Sequence, residues 1–271
     1  MKTLKSQRIA STYVDLHGEQ RTPQQLRRLF DSMPEESFMW SQHNIGTKPV
    51  ARGYNKQFVQ LDDGHYAIAL DLDVMDEDAF NEMGGYSISY IDREYSPVRE
   101  GDPNLRILVN PREFEPESFF DLLRKTDDGF QINIARWNQK GLSTAAIVVL
   151  SFIGLEACKW CLKKMFDGSW AWIRTSLVGK AEKKKAETGS DTMFQIMSPI
   201  IVNGDEVNAV FDFAVGDFAR LGSDVLDITA AETLASERYK GLELQKIVFR
   251  AGATDSGWII THAITKDNQV V

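Results

Sequence analysis

The chain is poor in cysteine and histidine. Its 271 residues contain two cysteines, Cys158 and Cys161, and four histidines. Two cysteines within one CKWC segment cannot build a disulfide framework, so a reducing, cytoplasmic environment is expected. The pair lies in a helical pattern and has no second cysteine pair to complete a zinc site, and we interpret it as structural rather than redox-active. No cofactor and no metal ion are therefore expected.

Neither a signal segment nor a membrane-spanning helix is expected. The first residues, MKTLKSQRIASTYV, lack the apolar centre of a signal peptide. The apolar run from Leu142 to Leu155 would rise about 21 Å as a helix, which is less than the roughly 30 Å of a bilayer core. It predicts a buried helix, an interfacial segment or a contact within a homo-oligomer, and membrane contact through residues 142–166 stays an alternative.

The charge balance is acidic. The formal net charge is −8, with 43% hydrophobic and 26% charged residues. This composition is ordinary for a soluble globular protein, and its sign argues against broad binding to nucleic acid. We therefore expect no nucleic-acid partner.

The pattern of elements predicts an α+β protein in three parts. Residues 1–113 are rich in predicted strands, with helices near 22–32 and 76–83. Thr22 and Pro23 are typical of a helix start, and Asp62 to Gly64 of a hairpin turn. Residues 114–188 are predicted as a helical segment, and residues 189–271 as a small α+β module.

The middle part is predicted to contain a helical hairpin. Its first helix is the apolar run from Leu142, and its second is SWAWIRTSLVGKAEKKKAE. The charged segment AEKKKAETGSD, which overlaps the end of that second helix, has the composition of a linker. After it, four strand patterns and the helix pattern TAAETLASERYKG complete the chain.

Candidate catalytic groups are few because histidine is scarce. His17 lies in a predicted turn, and His65 and His262 lie in strand patterns. His43 instead ends an aromatic strand just before a loop. Ser87 follows Gly84 and Gly85 in GGYSISYID, where alternation places Ser87 and Ser89 on one strand face. Alternation alone favours a solvated polar face, and the missing G-x-S-x-G elbow disfavours an α/β-hydrolase.

The order of four segments resembles the tailed-phage prohead (head-maturation) protease family. They are YVDLHGEQRTPQQLRRLF, MWSQHNIGTKPVARG, DDGHYAIALDLDV and GGYSISYID. In that family a V-D-x-x-G-E turn precedes a helix introduced by T-P, and a histidine, a hairpin and a G-[FLY]-S-I strand follow. The resemblance covers about residues 9–113. It implies a β-barrel with flanking helices, similar to the herpesvirus assemblins.

The resemblance also implies a serine protease site. By position, His43 matches the catalytic histidine and Ser87 the nucleophilic serine. The third member is left open among Asp71, Asp73 and Asp92, and Arg52 and Arg93 are candidates to support the oxyanion. Asn44 replaces a common acidic residue, and Ser89 replaces a common glycine.

Three hypotheses follow. The first is a serine endopeptidase that acts by acyl transfer on a protein partner or on itself. The second is a catalytically inactive assembly or interaction protein with a protease-like fold, because Asn44 and Ser89 depart from the family pattern. The third is a membrane-associated effector that acts through residues 142–166.

Overall fold

The protein forms two compact units. The computed structural model describes residues 2–15, 20–41, 44–82, 90–95, 105–123, 131–138, 145–155, 171–220, 227–252 and 257–271. The first unit comprises Met1–Ser89 and Gln139–Gly141, and the second comprises Tyr90–Asn138 and Leu142–Val271. The α+β class expected from the sequence is confirmed. Residues 90–113, which the sequence grouped with the amino-terminal domain, belong to the second unit.

The first unit is built on a four-stranded antiparallel sheet with the strand order β1-β4-β3-β2. Its elements in chain order are β1 (Lys2–Ser11), α1 (Pro23–Ser32), β2 (Ser37–Trp40), β3 (Ala51–Gln60), β4 (Tyr66–Val74) and α2 (Glu77–Glu82). Most of its buried apolar side chains form one cluster: Ile9, Leu26, Trp40, Val50, Ala51, Ile68, Leu70 and Leu72. The sheet is open in the described residues, so the expected assemblin-like barrel is not seen there.

Local sequence explains two features of this unit. The Thr22 hydroxyl accepts from the Gln25 N–H, and the Gln25 side chain accepts from the Thr22 N–H, which is a complete capping box at the start of α1. Gly64, with φ +85°, closes the turn between β3 and β4 in the left-handed region where glycine is favoured. The helix start and the hairpin turn predicted here are confirmed.

The second unit is built on an eight-stranded mixed sheet with the strand order β12-β11-β10-β9-β8-β6-β7-β5. Its strands are β5 (Tyr90–Tyr95), β6 (Leu105–Val109), β7 (Ile132–Asn138), β8 (Ala145–Phe152), β9 (Asp191–Val202), β10 (Asp205–Ala214), β11 (Leu244–Ala251) and β12 (Trp258–Thr265). Its helices are a 3₁₀ turn (Pro116–Phe119), α3 (Phe120–Leu123), α4 (Ala171–Thr188), α5 (Val215–Arg220) and α6 (Ile228–Arg238). The strands predicted at 189–271 are β9 to β12, which form one half of this sheet, and the helix predicted there is α6.

One face of the larger sheet carries the main core. Apolar side chains of α3 to α6, such as Leu122, Ile173, Phe218 and Ala231, join strand side chains such as Phe211 in a single buried cluster. We call this the helix face, and the opposite side of the sheet the second face. Residues of β10 alternate between them, because successive side chains of a strand point to opposite sides.

The predicted helix at Leu142 to Leu155 is wrong, because Ala145–Phe152 form strand β8. β8 lies inside the sheet between β6 and β9. Ile147, Val148 and Val149 are consecutive and at most 1% exposed, so both faces of the strand are buried. A strand buried on both faces reads as a continuous apolar run, which periodicity cannot distinguish from a buried helix. These side chains offer no surface for the oligomer or membrane contact expected of the run.

The predicted second helix of the hairpin is confirmed as α4, but the charged linker is not. Residues 181–188 are the last two turns of α4, and Gly189, with φ +72°, follows the helix. Ala181 is buried, and Lys184 pairs with Glu113 at 3.1 Å. Packing on one side and ion pairs on the other stabilise a segment whose composition alone is typical of a linker. None of the described helices is long and apolar enough to cross a membrane.

Candidate functional site

The sequence-predicted site residues fall partly within the described chain. Ser87 and His43 lie outside the described residues, and so does His17. Asp92 lies in β5, but its side chain and that of Arg93 are outside the described set. Asp71 and Asp73 are fully described, on the same face of β4 as the sequence predicted.

Strands β2 and β4 of the first unit finish at the same end of their sheet. Trp40, the last residue of β2, is paired with Ala51, and Ala51 is paired with Val74, the last residue of β4. Since β2 and β4 are both antiparallel to β3, they run in the same direction. Hydrogen bonds from Val50 N to the Trp40 carbonyl (2.8 Å) and from Met75 N to the Val50 carbonyl (2.8 Å) extend this row beyond the sheet. The segments that follow β2 and β4 therefore start at the same end of the sheet, on either side of the first residue of β3.

Asp71 links two irregular points in the strands that flank β4. Its carboxylate accepts from the Ser6 backbone N–H, the Lys5 ammonium and the Asn55 side-chain amide, each at 3.0 Å. Ser6 (φ +50°) and Asn55 (φ +52°) lie in the left-handed region, at register shifts in β1 and β3. Non-glycine residues adopt such angles only where surrounding contacts support them. Asp71 thus stabilises two β-bulges at once.

Asp73, two residues further along β4, also accepts hydrogen bonds from groups of the same unit. It accepts from the Thr3 hydroxyl (2.8 Å), the Arg52 guanidinium (3.0 Å) and the Tyr54 hydroxyl (3.2 Å). These hydrogen bonds, led by that of Thr3, hold the pKa of Asp73 below its ordinary value. Asp73 is register-paired with Arg52, one row inside the sheet end at which β2 and β4 finish.

The acid sensitivity of Asp71 gives a first prediction. Hydrogen bonds from Asn55, Ser6 and Lys5 lower its pKa to about 2, from an ordinary value of 3.8. The stability that this carboxylate contributes is complete above pH 3.8 and is lost as the pH falls toward 2, because only the unfolded state then binds the proton. Asp71→Asn leaves one oxygen for three donors, so we expect a lower free energy of unfolding at pH 7.

Urea unfolding between pH 2 and pH 7 measures this effect. The Asn variant should lose less stability than the wild type as the pH falls through that window. Asp31→Asn is the matched control, since Asp31 is exposed and pairs only with Arg27 at 3.2 Å on the surface of α1. Parallel acid-unfolding profiles for wild type and Asp71→Asn would contradict the proposed role of Asp71.

The remaining described histidines have local partners. His65 lies at the turn before β4, where its Nδ1 contacts the Thr12 hydroxyl at 2.9 Å and its ring stacks on Tyr13 at 4.3 Å. His262 lies in β12, with Nδ1 at 3.1 Å from the Thr261 hydroxyl. Both sets of contacts are those of side chains that stabilise a strand end or a sheet. No three His, Cys, Asp or Glu side chains come together as a metal ion would require, within the described ranges.

Sequence reasoning missed a buried polar group on the second face of the larger sheet. Asp212 is 4% exposed and Gln195 is fully buried, and the Gln195 amide donates to the Asp212 carboxylate at 2.7 Å. Arg250 is the register partner of Asp212 on β11. Burial raises the pKa of Asp212 and lowers that of Lys246, on the same strand as Arg250, to about 8. A lone acidic residue inside the apolar run AVFDFAV was the available signal.

Asp212→Asn is expected to stabilise the protein at neutral pH, because desolvation of the carboxylate is the main cause of its raised pKa. For such a group the wild-type stability decreases as the pH rises from the ordinary value through the folded-state value. The Asn variant should lack this decrease and gain ~1 kcal/mol at pH 7, near the lower end of polar desolvation costs in mutational data. Thermal unfolding at pH 4 and pH 8 measures the difference. A variant less stable than the wild type at pH 8 would show that the ionised carboxylate contributes net stability.

The chain was compared with protein families, curated proteins and solved structures. No family model, no curated protein and no solved structure matches the chain.

Proposed function

We propose that the first unit is a serine endopeptidase that acts on a protein partner or on the chain itself. The observation that supports it is the common end of β2 and β4. His43 is the third residue after Trp40, and Ser87 is the thirteenth after Val74, with α2 in between. The two segments start from one hydrogen-bonded row at the same end of the sheet, as a Ser87–His43 pair would require. The order of motifs that resembles the prohead proteases names the same two residues.

In the proposed reaction His43 accepts the proton of the Ser87 hydroxyl, and Ser87 Oγ attacks the carbonyl carbon of a peptide bond. His43 then gives the proton to the leaving amine, and water releases the acyl group from Ser87 by the reverse sequence. Backbone N–H groups near the sheet end would stabilise the oxyanion. Asp71 and Asp73 are bound by groups of their own sheet, and Asp92 belongs to the second unit, so the proposal depends on the Ser87–His43 pair.

Intact-mass analysis of the wild type, alone and with a mixture of denatured protein substrates, tests the proposal. We expect fragments that Ser87→Ala and His43→Ala each reduce by several orders of magnitude in rate, as with other nucleophile and base deletions. Ser89→Ala is the matched control, because it removes the neighbouring hydroxyl of the same strand pattern. Equal fragment patterns for wild type and Ser87→Ala would overturn the proposal.

The second candidate is a catalytically inactive assembly or interaction protein. The observation that favours it is the saturation of Asp71 and Asp73. Six donors of the unit itself bind their four oxygens, which is an arrangement typical of structural carboxylates. This candidate predicts that Ser87→Ala and His43→Ala leave every partner interaction unchanged, measured by size-exclusion chromatography of the mixed proteins.

A further inference from the structure

Strand β12 forms the outer edge of the larger sheet and carries no charge. Its eight residues, WIITHAIT, include no Asp, Glu, Lys, Arg, Pro or Gly. Edge strands are usually protected by charged side chains or proline, because their free backbone groups pair readily with another strand. A neutral segment rich in β-branched residues has the composition that self-pairing strands share. β12 therefore needs protection of another kind.

Part of that protection comes from residues 269–271, which we call the return segment. The Ala263 N–H donates to the Val271 carbonyl and the Val271 N–H to the Ala263 carbonyl, both at 2.9 Å. The Thr265 N–H donates to the Gln269 carbonyl at 3.0 Å. A tight turn at Lys266–Asn268, with Asn268 at φ +60°, brings the return segment back antiparallel to β12. The outer backbone groups of Ala263 and Thr265 are thus covered.

The other half of the edge has lighter protection. A register shift at Thr261 interrupts the ladder with β11, and the Ile260 carbonyl accepts from the Arg238 guanidinium at 3.5 Å. Within the described ranges no strand pairs with the outer side of Trp258–Ile260. The Ile259 side chain is 52% exposed, and Thr261 is exposed as well.

The cover is also weakly held. Gln269 and Val271 are exposed, so the return segment buries little apolar area. Its few hydrogen bonds each contribute about 0.5–1.5 kcal/mol, and ordering each backbone residue costs about 1–2 kcal/mol. These terms nearly cancel, which means that a strand offering a longer ladder can replace the return segment.

We infer that β12 is a latent pairing edge for a second copy of this chain, and that the return segment limits that pairing. Two copies of β12 related by a twofold axis run antiparallel and present identical edges to each other. Their ladder brings no like charges together, since the strand is neutral, whereas the net charge of −8 on each copy opposes association elsewhere. The neutral, self-complementary edge is therefore what favours a second copy as the partner of β12.

The test uses the full chain with the double substitution Gln269→Pro and Val271→Pro. It removes the N–H groups that donate to the Thr265 hydroxyl and the Ala263 carbonyl. Light scattering over a concentration series should show association at least about tenfold tighter than that of the wild type. Hydrogen exchange should show the Ala263 and Thr265 amides exposed at low concentration and protected in the associated form.

A second pair of substitutions tests whether the gained association uses the edge of β12. Ile259→Lys and Thr261→Lys are added to the Gln269→Pro/Val271→Pro protein, which we call the released variant. They place charges at two exposed positions along the edge and should abolish the gained association. Precipitation of the released variant that these lysines suppress would count as the same self-pairing. An association state unchanged from the wild type, or a gain that the lysines leave intact, would overturn the inference. Circular-dichroism melting of each variant confirms that the fold is retained.

Discussion

Phe211→Ala is expected to lower the free energy of unfolding by about 4 kcal/mol, within the range measured for phenylalanine deletions in cores. Phe211 is fully buried on the helix face of the larger sheet. Its ring stacks on Phe249 with centroids 5.0 Å apart, and it packs against Trp258 at 4.8 Å with the two ring planes tilted by 56°. Loss of the ring removes contacts on two neighbouring strands and leaves a cavity that rigid sheet backbone cannot fill. Urea unfolding of the purified variant measures the change.

Two further variants make this prediction specific. Phe211→Leu should cost less than the alanine variant, because a branched side chain keeps part of the buried volume. Ile259→Ala on β12, which is separated from β10 by β11, is the control because Ile259 is 52% exposed, and its change should stay within ~0.5 kcal/mol. A loss below about 1 kcal/mol for Phe211→Ala, far under the roughly 3 kcal/mol at the low end of that range, would contradict the helix face as the main core.

Lys56→Met is expected to destabilise the first unit by about 3 kcal/mol, because charge-assisted hydrogen bonds in buried surroundings are each worth about 1.5–3 kcal/mol. The Lys56 side chain is 3% exposed. Its ammonium donates to the carbonyls of Phe30 (3.1 Å) and Met33 (2.6 Å), which lie at the carboxyl end of α1, and pairs with Glu35 at 2.8 Å. Methionine fills a similar volume but removes the ammonium donor, which leaves the Phe30 carbonyl with the Met33 N–H alone and takes from the Met33 carbonyl its bond to Lys56.

Hydrogen exchange and urea unfolding together test the role of Lys56. The last turn of α1 should exchange faster in the variant, while the first turn, held by the Thr22 capping box, should change less. Lys183→Met is the matched control, since Lys183 is 77% exposed and forms only a surface pair with Glu187. Equal stabilities for the two methionine variants would show that Lys56 is not the carboxyl-terminal cap of α1.

Much of the fold could be predicted where the signal is local. The Thr22–Pro23 helix start, the turn closed by Gly64 and the alternating strands after residue 190 depend on residues close in sequence, and each is present. β8 could not be recognised, because Ile147, Val148 and Val149 are buried on opposite faces and show no period. The Lys-rich end of α4 was mistaken for a linker, because Glu113, which pairs with Lys184, is 71 residues away in the sequence.

For the candidate site, the sequence by itself determined that Asp71 and Asp73 share a strand face, and its resemblance to the prohead proteases singled out Ser87 and His43 as the residues to test. Only the tertiary structure decided what binds these two carboxylates. Lys5 and Ser6 bind Asp71 from the neighbouring strand β1, and Asn55 binds it from β3 on the other side. Both contacts are made at bulges that no local pattern predicts. Strand register brings together donors from distant parts of the chain, and register depends on how the whole sheet buries its apolar face.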